Sequence, residues 1–250
     1  MSRSSRLCKR PWLVALLAIA VGLAYVVAQI VAFFVIAVVL ALSRRGQTGS
    51  GLSAAAGADA DIISVTAWAA TLVAVPLILL FAKRQALTTP ADLLGCKAAT
   101  ARQTFFWLGG LLLFVAASDG LTLLLGREVV PQSMRDIYAS ADVPILLWST
   151  LIIAAPLFEE LLFRGLMFQG LLETRLKFVG AAAVTSLIWS AIHVQYDLYG
   201  IASIFVGGLL LAAARYFTGS VFVPMLMHAT MNLVATLEVI WLTRSGTALS

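Results

Sequence analysis

The sequence predicts an all-α fold: a polytopic transmembrane helical bundle of about seven spans. Two observations carry this reading. The chain is 61% hydrophobic and only 12% charged, with a mean hydropathy of +0.99, whereas a soluble domain is about half apolar and about a quarter charged. Its charges also fall almost entirely in the gaps between apolar runs of about 16 residues or more, the scale of a bilayer crossing. The net charge of +5 would suggest nucleic acid in a soluble protein. Here basic loops gathered on one side of a membrane account for it, so the implied partner is the lipid bilayer and no nucleic acid is expected.

The first run, Trp12 to Leu42, follows Arg3, Arg6, Lys9 and Arg10. At about 31 residues it far exceeds the h-region of a signal peptide, about 7–15 residues. It reads as an uncleaved first span that tilts or projects, and no turn signal divides it. The following Gly/Ala/Ser-rich stretch, 43–61, reads as a flexible linker. Further spans are expected at 62–82, 104–125, 145–171, 178–194, 199–214 and 221–243. In the sixth, Ser203, Gly207 and Leu211 share a stripe flanked by Gly208 and Ala212, a pattern that lets helices approach closely in lipid. With the N-terminus inside, inner segments hold eleven Lys and Arg and outer ones five, so the positive-inside rule favours a cytoplasmic N-terminus. Cys8 and Cys96 form no metal spacing and receive no role.

The fourth run breaks the pattern. Pro156-Leu157-Phe158-Glu159-Glu160-Leu161-Leu162-Phe163-Arg164 places two carboxylates and a guanidinium within an apolar span. Left unpaired and facing lipid, the three would cost roughly 8–10 kcal/mol. Glu160 and Arg164 are four apart with the acid first, the favoured orientation for a helix ion pair. They read as a neutralised structural pair. Glu159 points about 100° away and lacks that partner, and an unpaired intramembrane acid is a functional candidate by default. Pro156 removes a backbone donor just before it.

Both histidines of the chain lie in or at the ends of apolar runs. His193 follows Trp189 by one turn, and Asn232 follows His228 by one turn. A lone buried histidine is more often a satisfied core residue. Two histidines, an amide and a free carboxylate on three helices are harder to dismiss. Glu159 and His193 each lie about 24 Å from the Arg175–Lys177 turn, and His228 and Asn232 about 15 and 21 Å from the Thr218–Gly219 turn. The four therefore fall in one layer, nearer the outer face. Such a layer can hydrolyse without a covalent nucleophile: a carboxylate and an imidazole activate water, and His228 with Asn232 donate to an oxyanion. A zinc site built from two histidines and a glutamate is the competing reading, although no His-Glu-x-x-His is present. No Gly-x-Ser-x-Gly elbow supports serine chemistry.

These residues, Glu159-Glu160-x-x-x-Arg164, Trp189-x-x-x-His193 and His228-x-x-x-Asn232, resemble in order and spacing the motifs of the CPBP/Abi family. That family includes the type II CAAX prenyl endopeptidases. The resemblance covers about residues 144–243. It implies an intramembrane glutamic endopeptidase in which Glu159 and His193 activate water, His228 and Asn232 stabilise the oxyanion, and Glu160, Arg164 and Trp189 support the site. It implies no cofactor, with zinc the lesser alternative. The second motif of the family usually begins with Phe, and here it is Trp189. The chain then divides into N-terminal spans 1–143, a catalytic-type core 144–243 and a short tail 244–250. Short loops and the charge pattern suggest a bacterial inner-membrane protein, multi-pass, acting on a peptide or membrane-protein substrate. A non-catalytic scaffold or bacteriocin self-immunity protein of the same fold is the alternative. A transporter or proton relay is a third reading, against which no inverted repeat is evident.

Overall fold

The structure is a computed structural model that describes residues 6–43 and 60–245. Residues 1–5, 44–59 of the Gly/Ala/Ser-rich linker and 246–250 of the tail lie outside the described residues. All the regular elements described are helices: α1 Pro11–Ser43, α2 Ala60–Gln85, the short α3 Pro90–Leu94, α4 Ala101–Leu124, the short α5 Gln132–Ala139, α6 Pro144–Leu172, α7 Lys177–Ala191, α8 Leu198–Thr218 and α9 Phe222–Ser245. This is an all-α polytopic bundle, as the apolar pattern predicts.

Among the described residues six helices are long and apolar enough to cross a membrane: α1, α2, α4, α6, α8 and α9. The expected span 178–194 differs. It forms α7, whose 15 residues rise about 22 Å, short of the roughly 30 Å hydrocarbon core. The reason is local. The His193 N–H turns back to the Ser190 carbonyl at 3.1 Å, and the His193 ring nitrogen Nδ1 takes the Trp189 carbonyl at 2.7 Å. The side chain thus occupies the acceptor that the next helical turn requires.

Successive long helices run between two ends. At the N-terminal end the Leu7 N–H donates to the Glu173 carboxylate at 2.8 Å, Leu87 N–H to the Leu7 carbonyl at 2.8 Å and Val221 N–H to the Gly95 carbonyl at 2.8 Å. At the far end Ser133 Oγ donates to the Gln195 carbonyl at 3.3 Å, and Ala60 N–H to Ser140 Oγ at 3.2 Å. The described basic residues expected on the inner side therefore gather at the N-terminal end. One of them is not a loop cation at all: Arg215 is 5% exposed, turned into the bundle.

One core joins the two parts of the chain. Val14, Ala18 and Val21 of α1 pack with Leu162, Leu166 and Phe168 of α6, Trp189 of α7 and Leu211 of α8. Outward-facing Phe105, Phe106 and Leu113 of α4 stay exposed, as a lipid-facing surface requires. In lipid, close approach rather than apolar burial binds helices. A Cβ at Gly170 of α6 would lie 2.9 Å from the Pro11 carbonyl oxygen and 3.0 Å from the Ala15 nitrogen. Both are backbone atoms that cannot swing aside. Gly170→Ala is therefore expected to push α1 off α6 and destabilise by about 1–3 kcal/mol. Gly109→Ala, at a site with open space around it, should be neutral or slightly stabilising. Equal denaturation midpoints for the two variants would contradict this packing.

The N-terminal strap offers a second test. Burial and the neighbouring Glu173 carboxylate push the Cys8 thiol up to about 12. The thiolate is the reactive form. At pH 8 a maleimide is expected to label half-buried Cys96 and to reach Cys8 only after unfolding. Equal labelling rates on the folded protein would show that the strap is loose.

Candidate active site

Helix α6 is not a uniform α-helix. Thr150–Ala154 and Leu161–Met167 are π-helical, with an α-helical Ala155–Glu160 between them. Pro156 has no N–H and its ring crowds the preceding turn. The wider first π turn, closed by Ala155 N–H on the Thr150 carbonyl, relieves that clash. Such turns recur at functional sites. Here they bracket Glu159 and Glu160 and set the faces these residues show.

Glu160 is fully buried and binds two groups through one oxygen. Its Oε1 accepts from Arg164 Nη1 at 2.9 Å and from His228 Nδ1 at 2.9 Å. Arg164, also fully buried, donates Nη2 to the Gly208 carbonyl at 3.3 Å and lies 4.4 Å over the Trp189 ring. That stacking needs a small residue on α8. A Cβ on Gly208 would meet Ser186 Cβ at 2.9 Å and the Trp189 ring at 3.1 Å.

Trp189 joins the remaining members. Its indole Nε1 donates to Glu159 Oε2 at 2.5 Å. Its carbonyl takes His193 Nδ1, and its ring sits edge-on to both imidazoles, 5.1 Å from His193 and 5.3 Å from His228. A carbonyl only accepts, so His193 Nδ1 carries its proton and Nε2 presents a lone pair. His228 is held in the same sense, through Nδ1. Its Nδ1 faces the Glu160 carboxylate, so the Nδ1–H donates to Oε1, and Nε2 becomes a donor only when the ring carries a second proton. Glu159 and His193 are half-buried, while Glu160, Arg164, Trp189 and His228 are enclosed. The first pair is thus partly open at the surface of the bundle, and the support beneath it is closed.

Asn232 lies one turn beyond His228. Its Nδ2 donates to the Leu151 carbonyl at 2.7 Å, inside the first π turn, and keeps a second N–H. Two residues escaped the sequence reading. Arg215 donates Nε to the Arg164 carbonyl at 3.1 Å and Nη2 to Gln169 at 3.4 Å, bracing the second π segment. Its position at a helix end looked like an ordinary loop cation. Tyr25 of α1 stacks on Phe158 with centroids 3.8 Å apart, covering the turn that carries Glu159. Nothing in the first span marks it. Among the described residues no group of three or more His, Cys, Asp or Glu is arranged to hold a metal ion.

The segment that carries this layer has known relatives. Residues 141–234 match the Rce1-like family. Its description is type II CAAX prenyl endopeptidase Rce1-like, and the match includes Glu159, Glu160, Arg164, Trp189, His193, His228 and Asn232. The likeness of this segment is to a family described by CAAX-type endopeptidase activity. An uncharacterized 24.3 kDa protein of Escherichia coli is 34% identical over 130 residues, which is 49% of this chain and 58% of that protein. The chain thus spans a little over half the length of this relative. No solved structure matches the chain.

Proposed function

We propose that the protein is an intramembrane, metal-independent endopeptidase that hydrolyses a peptide bond in a peptide or membrane-protein substrate. The observation that carries this reading is the shared anchoring of Glu159 and His193 on Trp189, which leaves Glu159 Oε1 and the His193 Nε2 lone pair free. A water between them loses its proton as its oxygen attacks the carbonyl carbon. The oxyanion that forms accepts from the doubly protonated His228 at Nε2 and from the second Asn232 N–H. As the C–N bond breaks, the proton held by Glu159 or His193 passes to the leaving nitrogen. A carboxylate and an amine remain. The protein acts as a multi-pass protein of a cell membrane with its N-terminus in the cytoplasm, the orientation its basic end favours.

The test compares wild type with Glu159→Gln, purified in detergent and assayed on a mixed peptide library by mass spectrometry, each with and without a zinc chelator. Wild type is expected to cut regardless of chelator and Glu159→Gln not to cut. Loss of cutting with chelator alone would establish a metal enzyme. Undiminished cutting by Glu159→Gln would remove the carboxylate from the mechanism.

A further inference from the structure

A cavity of about 640 Å³ opens at the far end of the bundle between α4, α8 and α9. None of Glu159, Glu160, Arg164, His193, His228 and Asn232 lines it, but residues adjoining the site do. Met231, Ala235 and Glu238 line it from α9, following His228 at three-, four- and three-residue steps and so on one face of that helix. Tyr196 lines it from the loop after α7, its ring 6.4 Å from that of His193.

The charges in this cavity are uneven. At the rim Arg127 pairs with Asp197, and Arg135 pairs with Glu128 at 2.6 Å. Asp119 of α4 and Glu238 of α9 both line the same cavity, each partly buried. No Lys or Arg among the described residues forms an ion pair with either. Ionised carboxylates are acceptors only. Two of them face one another only with a proton or a cation between them. The rim cations are paired with acids, whereas Asp119 and Glu238 have no basic partner among the described residues, so the cavity favours a positive guest. Its volume lies within the range of a ligand pocket, about 300–1,000 Å³, and so accommodates a long basic side chain.

We propose that this cavity is a substrate subsite that binds a lysine or arginine side chain of the peptide, with Asp119 and Glu238 as its counter-charge. The inference rests on the peptidase reading above. Glu238 lies ten residues beyond His228 on α9, or about 15 Å. An extended chain advances about 3.3 Å per residue, and a lysine side chain adds about 6 Å. The basic residue therefore lies about three residues from the bond that is cut.

The experiment separates binding from cleavage. The Glu159→Gln protein in nanodiscs is titrated with a fluorescent hexapeptide containing one lysine among alanine and leucine, and with its norleucine counterpart. The lysine peptide is expected to bind at least about ten-fold tighter, the scale of a hydrogen-bonded charge. That preference should vanish when Asp119→Asn and Glu238→Gln are added. In the unaltered cavity, argininamide should displace the peptide and citrulline amide should not, a readout that needs no cavity variant to fold. Equal affinity for the two peptides, a preference that survives in the double variant, or no displacement by argininamide would each overturn the proposal. Lysine-dependent binding with no cleavage by wild type would uphold the cation site and overturn the peptidase reading instead.

Discussion

Arg164→Leu is expected to destabilise the folded protein by about 3–5 kcal/mol, the cost of leaving one partner of a buried ion pair uncompensated. The basis is that Glu160 and Arg164 are fully enclosed and 2.9 Å apart, with no water to replace the lost charge. Arg164→Lys should recover only part of this. A lysine keeps the charge, but it cannot reach Glu160 and the Gly208 carbonyl with one planar group while stacking on Trp189. The double variant Glu160→Leu/Arg164→Leu provides the diagnostic comparison. Apolar replacement of a whole buried pair is often neutral or stabilising, so the double variant should regain most of the stability lost in the single one. It should nevertheless stay inactive, because His228 Nδ1 loses the carboxylate that holds it. Denaturant midpoints and peptide cleavage measured side by side check both halves. An active double variant would show that Glu160 only balances a charge.

The largest kinetic effect is expected for Glu159→Gln. A glutamine keeps a carbonyl oxygen to accept from Trp189 Nε1, so the 2.5 Å anchor and the surrounding packing persist. The second oxygen becomes an NH2 group, which cannot take a proton from water. Removing a positioned general base typically costs about 10²–10⁴ in rate. The loss should appear in kcat, with KM little changed and stability within about 0.5 kcal/mol of wild type. His193→Gln removes the Nε2 lone pair to which the proposal gives the same water and should cost a similar factor. If the two groups act as one unit, the double variant will be scarcely slower than either single one. Multiplying losses would instead assign Glu159 and His193 to separate steps.

The spacing of residues along single helices was legible without coordinates. Glu160 and Arg164, four apart, do pair. The apolar runs mark the long helices, and the small residues at 207 and 208 lie where helices close on one another. The length of α7 was not legible, because apolar residues continue past Ala191 while the helix stops. Only the capture of the Trp189 carbonyl by His193 ends it, and composition does not record that contact. Arg215 was misread for a related reason. A basic residue at the end of a span looks the same in sequence whether it faces water or the Arg164 carbonyl.

By itself the sequence determined that Glu159, Glu160 and Arg164 lie within an apolar span, and the local pairs that helical geometry dictates at three and four residues. The tertiary structure alone decided which pairs meet across helices: Glu160 with His228, Glu159 with the Trp189 indole, and Asn232 with Leu151; it also set Asp119 and Glu238 in one cavity. The physical reason is rotation. A residue on a 3.6-residue helix has a fixed direction relative to its neighbours, but the two π turns of α6 each close on the fifth residue and re-aim everything that follows them. Where a helix presents its face then depends on Pro156, on the glycines that set its distance from α1 and α8, and on partners more than sixty residues away.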